Sequence, residues 1–334
     1  MNLQKVLTFF PPPTFIDRPS IGLDITDEAV YFAELRRGKN GFELGKYGEK
    51  ILPRGMVEAG HINDPEGLSN ILKELKDRHG FQNVRTSLPE EKTYLFSTEI
   101  PYTDDISQMK KSLEFKLEDN VPIPPAETIF EFDLVSNLGI VKDHLDVSVL
   151  AVSDKVVSAY TSVLHSAGLN PFSFEVETRA LAKAVVRKGD DSTIMIIDVG
   201  NLKTGVYVIS EGVVRFSSTL NLDIRQETFD ENRDTTAMLA LRAEIQRIQT
   251  YWNTHNDKNN EFNVKIEKVL ICGQPAIGLK LDHYFSRKLQ LPVEFANIWS
   301  NVCSFDSYIP VLDFNESLKY AVAVGLILSQ YHNF

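Results

Sequence analysis

The sequence predicts an α/β protein built from two related halves with an inserted α+β subdomain. An apolar strand that ends in Asp-x-(Gly/Thr) occurs twice, as I-G-L-D-I-T at 21–26 and I-M-I-I-D-V-G at 194–200, and V-Y-F or V-Y-V resumes the sheet after a short turn. Asp24 and Asp198 lie 174 residues apart in a chain of 334, the half-chain spacing expected of a duplicated unit. Between the halves, residues 93–165 change character: a β-run (T-Y-L-F-S-T-E-I-P), a charged helix, a proline-marked turn, two more strands and another helix.

The elements follow in order. From Ser20, three strands form a meander closed by Gly-Lys-Asn-Gly. A helix follows over 65–79, opened by Pro65, with Leu68, Ile71, Leu72 and Leu75 on one face and Gly80 as its stop. In the insertion, K-K-S-L-E-F-K-L-E-D reads as an amphipathic helix with Leu113, Phe115 and Leu117 partly inward. Its sequel V-P-I-P-P at 121–125 either ends the helix or lines a groove for an extended peptide. The expected division is an N-terminal segment 1–19, a first lobe 20–92 to which residues from about 315 to 334 return, the subdomain 93–165, and a second lobe 166–314. In segment 1–19, V-L-T-F-F runs into three prolines, too short and too weakly charged for a cleaved signal. It reads as a frayed or packed end, with a short membrane- or partner-touching helix as the alternative.

Composition narrows the function classes. A hydrophobic fraction of 43% supports a large core, and a net charge of −11 argues against a broad phosphate-neutralising face, so nucleic acid is not an expected partner. Cys272 and Cys303 are the only cysteines and form no C-x-x-C, as in a reduced compartment. The longest apolar runs fall short of the ~20 residues that span a bilayer. The seven histidines form no local ligand pair, and no G-x-S-x-G, G-x-x-x-x-G-K-(S/T) or G-x-G-x-x-G occurs, which removes local zinc, hydrolase, P-loop and dinucleotide signatures.

The repeated turns carry the chemistry. Two hairpin turns facing one cleft can each offer backbone N–H groups and a carboxylate to a polyphosphate, with Asp24 and Asp198 holding hydrated Mg²⁺. Gly200 would permit positive φ and close approach, and Thr204 would add a hydroxyl donor. The plainer alternative is an Asx-type hairpin turn made by Asp198, Gly200 and Asn201. Glu175, with Glu177 and Arg179, either places a carboxylate near an attacking water or opens a solvated helix with acids at its positive end.

These residues resemble a known family. I-G-L-D-I-T-D-E-A-V-Y-F-A-E-L is similar to the first phosphate motif, and I-I-D-V-G-N-L-K-T to the second, of actin-like nucleotide-binding proteins. Within them, L-E-D-N-V-P-I-P-P-A-E-T-I-F-E-F-D-L at 117–134, E-V-E-T-R-A-L-A-K-A at 175–184, L-R-A-E-I-Q-R-I-Q-T-Y-W at 241–252 and V-L-I-C-G-Q-P-A-I-G-L at 269–279 resemble the PilM family of type IV pilus assembly. The resemblance runs from about residue 20 to 330 and implies two ribonuclease-H-like lobes, an inserted subdomain shared with FtsA, and ATP or ADP with Mg²⁺ between the lobes. It carries over residue by residue to Asp24, Asp198, Gly200, Thr204, Gly273, Glu244 and Arg247 as nucleotide-binding positions; Thr26 and Asn201, in the two turns, complete the candidate set, and Glu175 is the catalytic candidate.

Departures from the family pattern point to a weakened site. Thr26 replaces a glycine, Asp27 and Tyr31 stand where Ser and Lys are usual, and Gly273-Gln274-Pro275 replaces a glycine run. S-S-T-L-N-L-D-I stands where a glycine pair would open the next helix. The implied role is a cytoplasmic scaffold at the inner face of the membrane that binds the N-terminal tail of a PilN-like membrane protein, self-association included, with at most slow ATP turnover. A kinase of the same superfold and an FtsA-like filament former are the alternatives.

Overall fold

The computed structural model describes residues 20–38, 41–135, 144–224, 234–255 and 265–330; the expected N-terminal segment 1–19 lies outside them. The first lobe opens with β1 (Ile21–Ile25), β2 (Ala29–Gly38) and β3 (Gly41–Ile51), then a small hairpin of β4 (Val57–Glu58) and β5 (His61–Ile62). Helix α1 (Pro65–His79) follows; the Asp64 side chain accepts from the N–H of Gly67, and Gly80 closes its end at φ 65°. Its apolar stripe buries Leu68, Leu72 and Leu75 against the sheet, which β6 (Asn83–Leu88) then joins.

The inserted subdomain comprises β7 (Thr93–Pro101), α2 (Ile106–Asn120), β8 (Thr128–Leu134) and β9 (His144–Ser153), in strand order β7-β9-β8. Met109, Leu113 and Leu117 of α2 pack on Ile100, Val147 and Val149. Phe115, expected partly inward, is 78% exposed because at 100° per residue it falls on the face opposite Leu113 and Leu117.

The chain returns to the first lobe through α3 (Asp154–Ser166), β10 (Asn170–Val176) and α4 (Glu177–Val185). Strand β10, which a division at 165/166 assigns to the second lobe, pairs parallel with β6 in the first. Tyr160, Val163 and Leu164 of α3 likewise join the first-lobe core. Periodicity shows that these segments are a helix and a strand, but not which sheet they complete.

The second lobe has β11 (Ile194–Val199), β12 (Lys203–Ser210), β13 (Val213–Asn221), α5 (Thr236–His255), β14 (Lys268–Cys272), α6 (Gln274–Gly278), α7 (Leu281–Lys288) and β15 (Val293–Phe295). Its sheet order, β13-β12-β11-β14-β15, repeats the β3-β2-β1-β6-β10 order of the first, with the same parallel and antiparallel neighbours. Two copies of one topology thus stand behind the repeated Asp-turn sequence.

After α8 (Phe314–Ser317), the last helix α9 (Ala321–Leu328) is buried along its length, in one cluster with α4 and β11. Bare backbone makes the fit: a Cβ on Gly325 would stand 1.8 Å from the Ala180 carbonyl oxygen, and one on Gly22 1.8 Å from that of Ala323. The terminal helix is therefore clamped between β1 and α4 at backbone contact.

Candidate functional site

Both Asp-bearing strands end at one cleft of about 930 Å³, open to solvent and lined by the turns after β1 and β11, the start of α4 and the turn after β14. Asp24, Thr26, Asp198, Gly200, Asn201 and Gly273 all line it. Duplication explains the convergence, since equivalent strands present equivalent turns across the interface.

The first turn is closed on itself. Thr26 Oγ1 accepts from the N–H groups of Glu28 and Ala29 at 3.3 and 3.1 Å and donates to the Ala29 carbonyl at 3.0 Å. Asp27 accepts from the N–H groups of Ala59 and Gly60 at 2.8 and 3.2 Å, so its charge is held at the β4–β5 hairpin. At least two backbone donors that a phosphate would seek are already engaged by the hydroxyl of Thr26.

The second turn differs from expectation at two residues. Gly200 has no positive φ; its N–H donates to the Lys203 carbonyl at 2.9 Å and closes the hairpin. The glycine that the cleft does require is Gly273, at φ 87°, where a Cβ would stand 2.0 Å from the Val199 carbonyl oxygen. Thr204 points the other way. Strand alternation sends Lys203 and Gly205 into the cleft and the Thr204 hydroxyl into an apolar recess with Leu222, Ile224 and Met238, where it is fully buried without a hydrogen-bond partner among the described residues. Asn201 bridges the turns by donating to Glu28 Oε2 at 3.2 Å.

Glu175 is not brought to the cleft. It binds Lys183 and Ser329 on the far side of β10 and beside α4. Glu177 lines the cleft instead, because the chain leaves the strand register and enters the helix between the two residues. Glu244 and Arg247 also lie elsewhere: Arg247 donates to both oxygens of Glu244 at 2.8 and 2.5 Å, and Ser218 donates to Glu244 at 2.7 Å. Ser218 and the cleft-lining Thr219 face opposite sides of β13, which carries that pair away from the cleft.

The dominant group in the cleft, Lys203, was not among the sequence candidates. Its Nζ stands 2.7 Å from Glu91 Oε1 and 3.6 Å from Glu177 Oε2. Glu91 belongs to the short turn that leads from β6 into the inserted subdomain. Burial alone would lower the Lys203 pKa, but Glu177 and Glu91 hold it above its ordinary value. Burial pushes Asp24 up to about 6, despite a 2.8 Å hydrogen bond from Ser87 and the attraction of Lys203, with Asp198 adding to the rise. Burial likewise carries Asp198 to about 6 against the pull of Lys203. Glu177, buried with Oε1 unpartnered among the described residues, is raised well above the carboxylate range by burial. The signal that could have found Lys203 was its place beside the D-x-G turn, two residues before Gly205 and so on the same face of the strand.

On the far wall, Lys319 lies 2.7 Å from Glu316 and 3.0 Å from Glu49, and Gln274 donates to Glu316 at 2.7 Å. Five carboxyl groups (Asp24, Asp27, Glu28, Glu177 and Asp198) and two ammonium groups (Lys203 and Lys319) line the cleft. Carboxylate oxygens are the donor type that Mg²⁺ takes, but the Lys203 ammonium stands in the same cleft, paired with Glu91 and Glu177 and attracting both Asp24 and Asp198, so the acids already have a cation and the residues do not fit a hydrated Mg²⁺ between Asp24 and Asp198.

A family model described as type IV pilus assembly protein PilM matches residues 22–232. The chain belongs to that family. Among solved structures it is similar to the PilM-PilN type IV pilus biogenesis complex, with 20% sequence identity and a TM-score of 0.77 over 94% of this chain and 99% of that one. It is also similar to MreB 5 of Spiroplasma citri bound to AMPPNP, at 14% identity and a TM-score of 0.50, over 94% and 96% of the two chains. These likenesses show the actin-like fold. Among the described residues, no helix is long and apolar enough to cross a membrane.

Proposed function

We propose that this PilM-family chain is a cytoplasmic scaffold of the type IV pilus platform that seats the N-terminal tail of a PilN-like membrane protein, with ATP or ADP as a conformational ligand. The observation that carries the partner reading is an apolar groove of about 590 Å³ between the inserted subdomain and the first lobe, lined by Leu88, Ile129, Phe130, Val152, Val157 and Phe174. Its polar rim is Glu131, Glu175 and Arg179, and Arg179 reaches Glu131 and Asp133 at 2.6 and 2.7 Å. An extended peptide with alternating apolar side chains suits such a groove, the apolar positions entering it and the backbone meeting the rim. The segment 121–125 does not line it; Val121 is buried in the subdomain core, and Pro124 and Pro125 open the short 3-10 turn before β8.

Nucleotide would bear on the partner because the cleft is walled by both lobes, and Glu91, at the root of the inserted subdomain, touches the cleft lysine. A ligand that binds one lobe arrangement better than another shifts that arrangement, and only to that extent. Turnover is expected to be at most slow, since Glu177, not Glu175, is the carboxyl at hand and the donors of the first turn are engaged.

The test is fluorescence anisotropy with a labelled tail peptide of the PilN-like protein from the same source. Saturable binding is expected, weakened roughly tenfold or more by Ile129→Glu, which puts a charge in the groove at a position already 46% exposed. Absence of saturable binding overturns the partner reading. Calorimetry with ATP and ADP, on the wild type and on Asp24→Ala/Asp198→Ala, tests the nucleotide reading separately.

A further inference from the structure

We propose that Lys203 is a tethered cation that takes the place of a divalent metal between the two Asp-bearing turns, so that the cleft binds a nucleoside di- or triphosphate without Mg²⁺. The second half of this proposal rests on the nucleotide reading above; the first stands on the cleft alone.

The geometry supplies the argument. Lys203 is the first residue of β12, and its strand position is set by pairing with β11 on one side and with Asn221 of β13 on the other. From there the side chain crosses the cleft to Glu91 and Glu177 of the first lobe, at 2.7 and 3.6 Å. Asp24, Asp27, Glu90 and Asp198 also lie within its electrostatic reach. One ammonium therefore pairs with two carboxyl groups and attracts four more, two of them the Asp residues of the repeated turn. A dication entering this cluster would have to displace the ammonium or tolerate a positive charge at close range in a poorly hydrated site.

The ammonium also has what a polyphosphate needs. It carries three donors on a flexible stem, and moving from Glu91 to a phosphate oxygen exchanges one charge-assisted hydrogen bond for another. With Thr26 and the Gly200 hairpin engaging backbone donors of the two turns, a side-chain cation becomes the main positive group left on this wall of the cleft.

Two titrations on the full chain test this. Mn²⁺ alone, followed by the electron paramagnetic resonance signal of the free ion, is added to the wild type, to Lys203→Gln and to Lys203→Gln/Glu91→Gln; the double variant removes one carboxylate with the ammonium and guards against misfolding of the single one. The expected result is weak Mn²⁺ binding by the wild type and roughly tenfold or greater tightening in Lys203→Gln or, should that variant not fold, in the double variant. Wild-type Mn²⁺ binding as tight as in the variants overturns the tethered-cation role. ADP binding is then measured by calorimetry in excess Mg²⁺ and in EDTA. Equal affinity in the two buffers for the wild type, with Lys203→Gln losing affinity chiefly in EDTA, is expected. An ADP affinity that depends on Mg²⁺ in the wild type overturns the metal-free claim. No ADP binding in either buffer overturns the nucleotide reading and that claim together, while the Mn²⁺ result still judges Lys203.

Discussion

Lys203 Nζ and Glu91 Oε1 are 2.7 Å apart, an ion pair that ties a strand of the second lobe to the turn where the inserted subdomain leaves the first. It joins three structural units at one point. Truncating one partner of such a pair leaves an uncompensated, partly buried charge, worth about 1–3 kcal/mol. Lys203→Met is therefore expected to lose about that much stability in urea unfolding, and Lys203→Met/Glu91→Gln clearly less. Equal losses in the two variants would show that the pair contributes no specific coupling.

Stability should fall with rising pH across the window set by Asp24 and Asp198. Each is held at about 6 in the folded chain against an ordinary 3.8, so between those values the folded state binds more protons than the unfolded one and stability declines as pH rises. The penalty is complete above about pH 7 and relieved as pH drops through 6, about 3 kcal/mol for one group considered alone. Asp24→Asn is expected to flatten the profile between pH 4 and about 7, because an amide in that place has no charge to bury. Urea midpoints at successive pH values measure this; an unchanged slope would mean that Asp24 does not titrate in this range.

Thr204→Val should leave ligand binding intact and raise stability by about 1 kcal/mol. The hydroxyl is fully buried and unpartnered among the described residues, so it costs desolvation without a compensating bond, and valine has nearly its shape. A loss of nucleotide affinity in this variant would place the hydroxyl in the cleft after all. Thermal melting and calorimetry read the two effects.

Gly325→Val is expected to disrupt the seat of α9 against α4. A Cβ there meets the backbone of Ala180, which cannot rotate aside, so α9 must move off α4. Overpacking of this kind costs about 1–3 kcal/mol and occasionally more. Heat-induced unfolding should occur measurably earlier, and limited proteolysis should cut sooner near residue 320; an unchanged melting temperature would argue against the clamp.

What the sequence by itself determined is the repeated unit: an apolar run, Asp, a turn and a resumed strand is a local pattern of period and turn chemistry, and each copy folds into the same strand order. From that repeat, a cleft with Asp24 and Asp198 on facing turns could be derived, and Gly273 lines that cleft. Tertiary structure alone decided which neighbours joined them. The choice between Glu175 and Glu177 turned on where β10 becomes α4, that between Thr204 and Lys203 on which face of β12 looks into the cleft, and the exclusion of Glu244 and Arg247 on the face of β13 that meets α5. A shift of one residue reverses the direction of a strand side chain, and no local propensity distinguishes the two faces when both are covered. The Lys203–Glu91 pair, between residues 112 apart in the chain, exists only because two lobes and an insertion converge at one point.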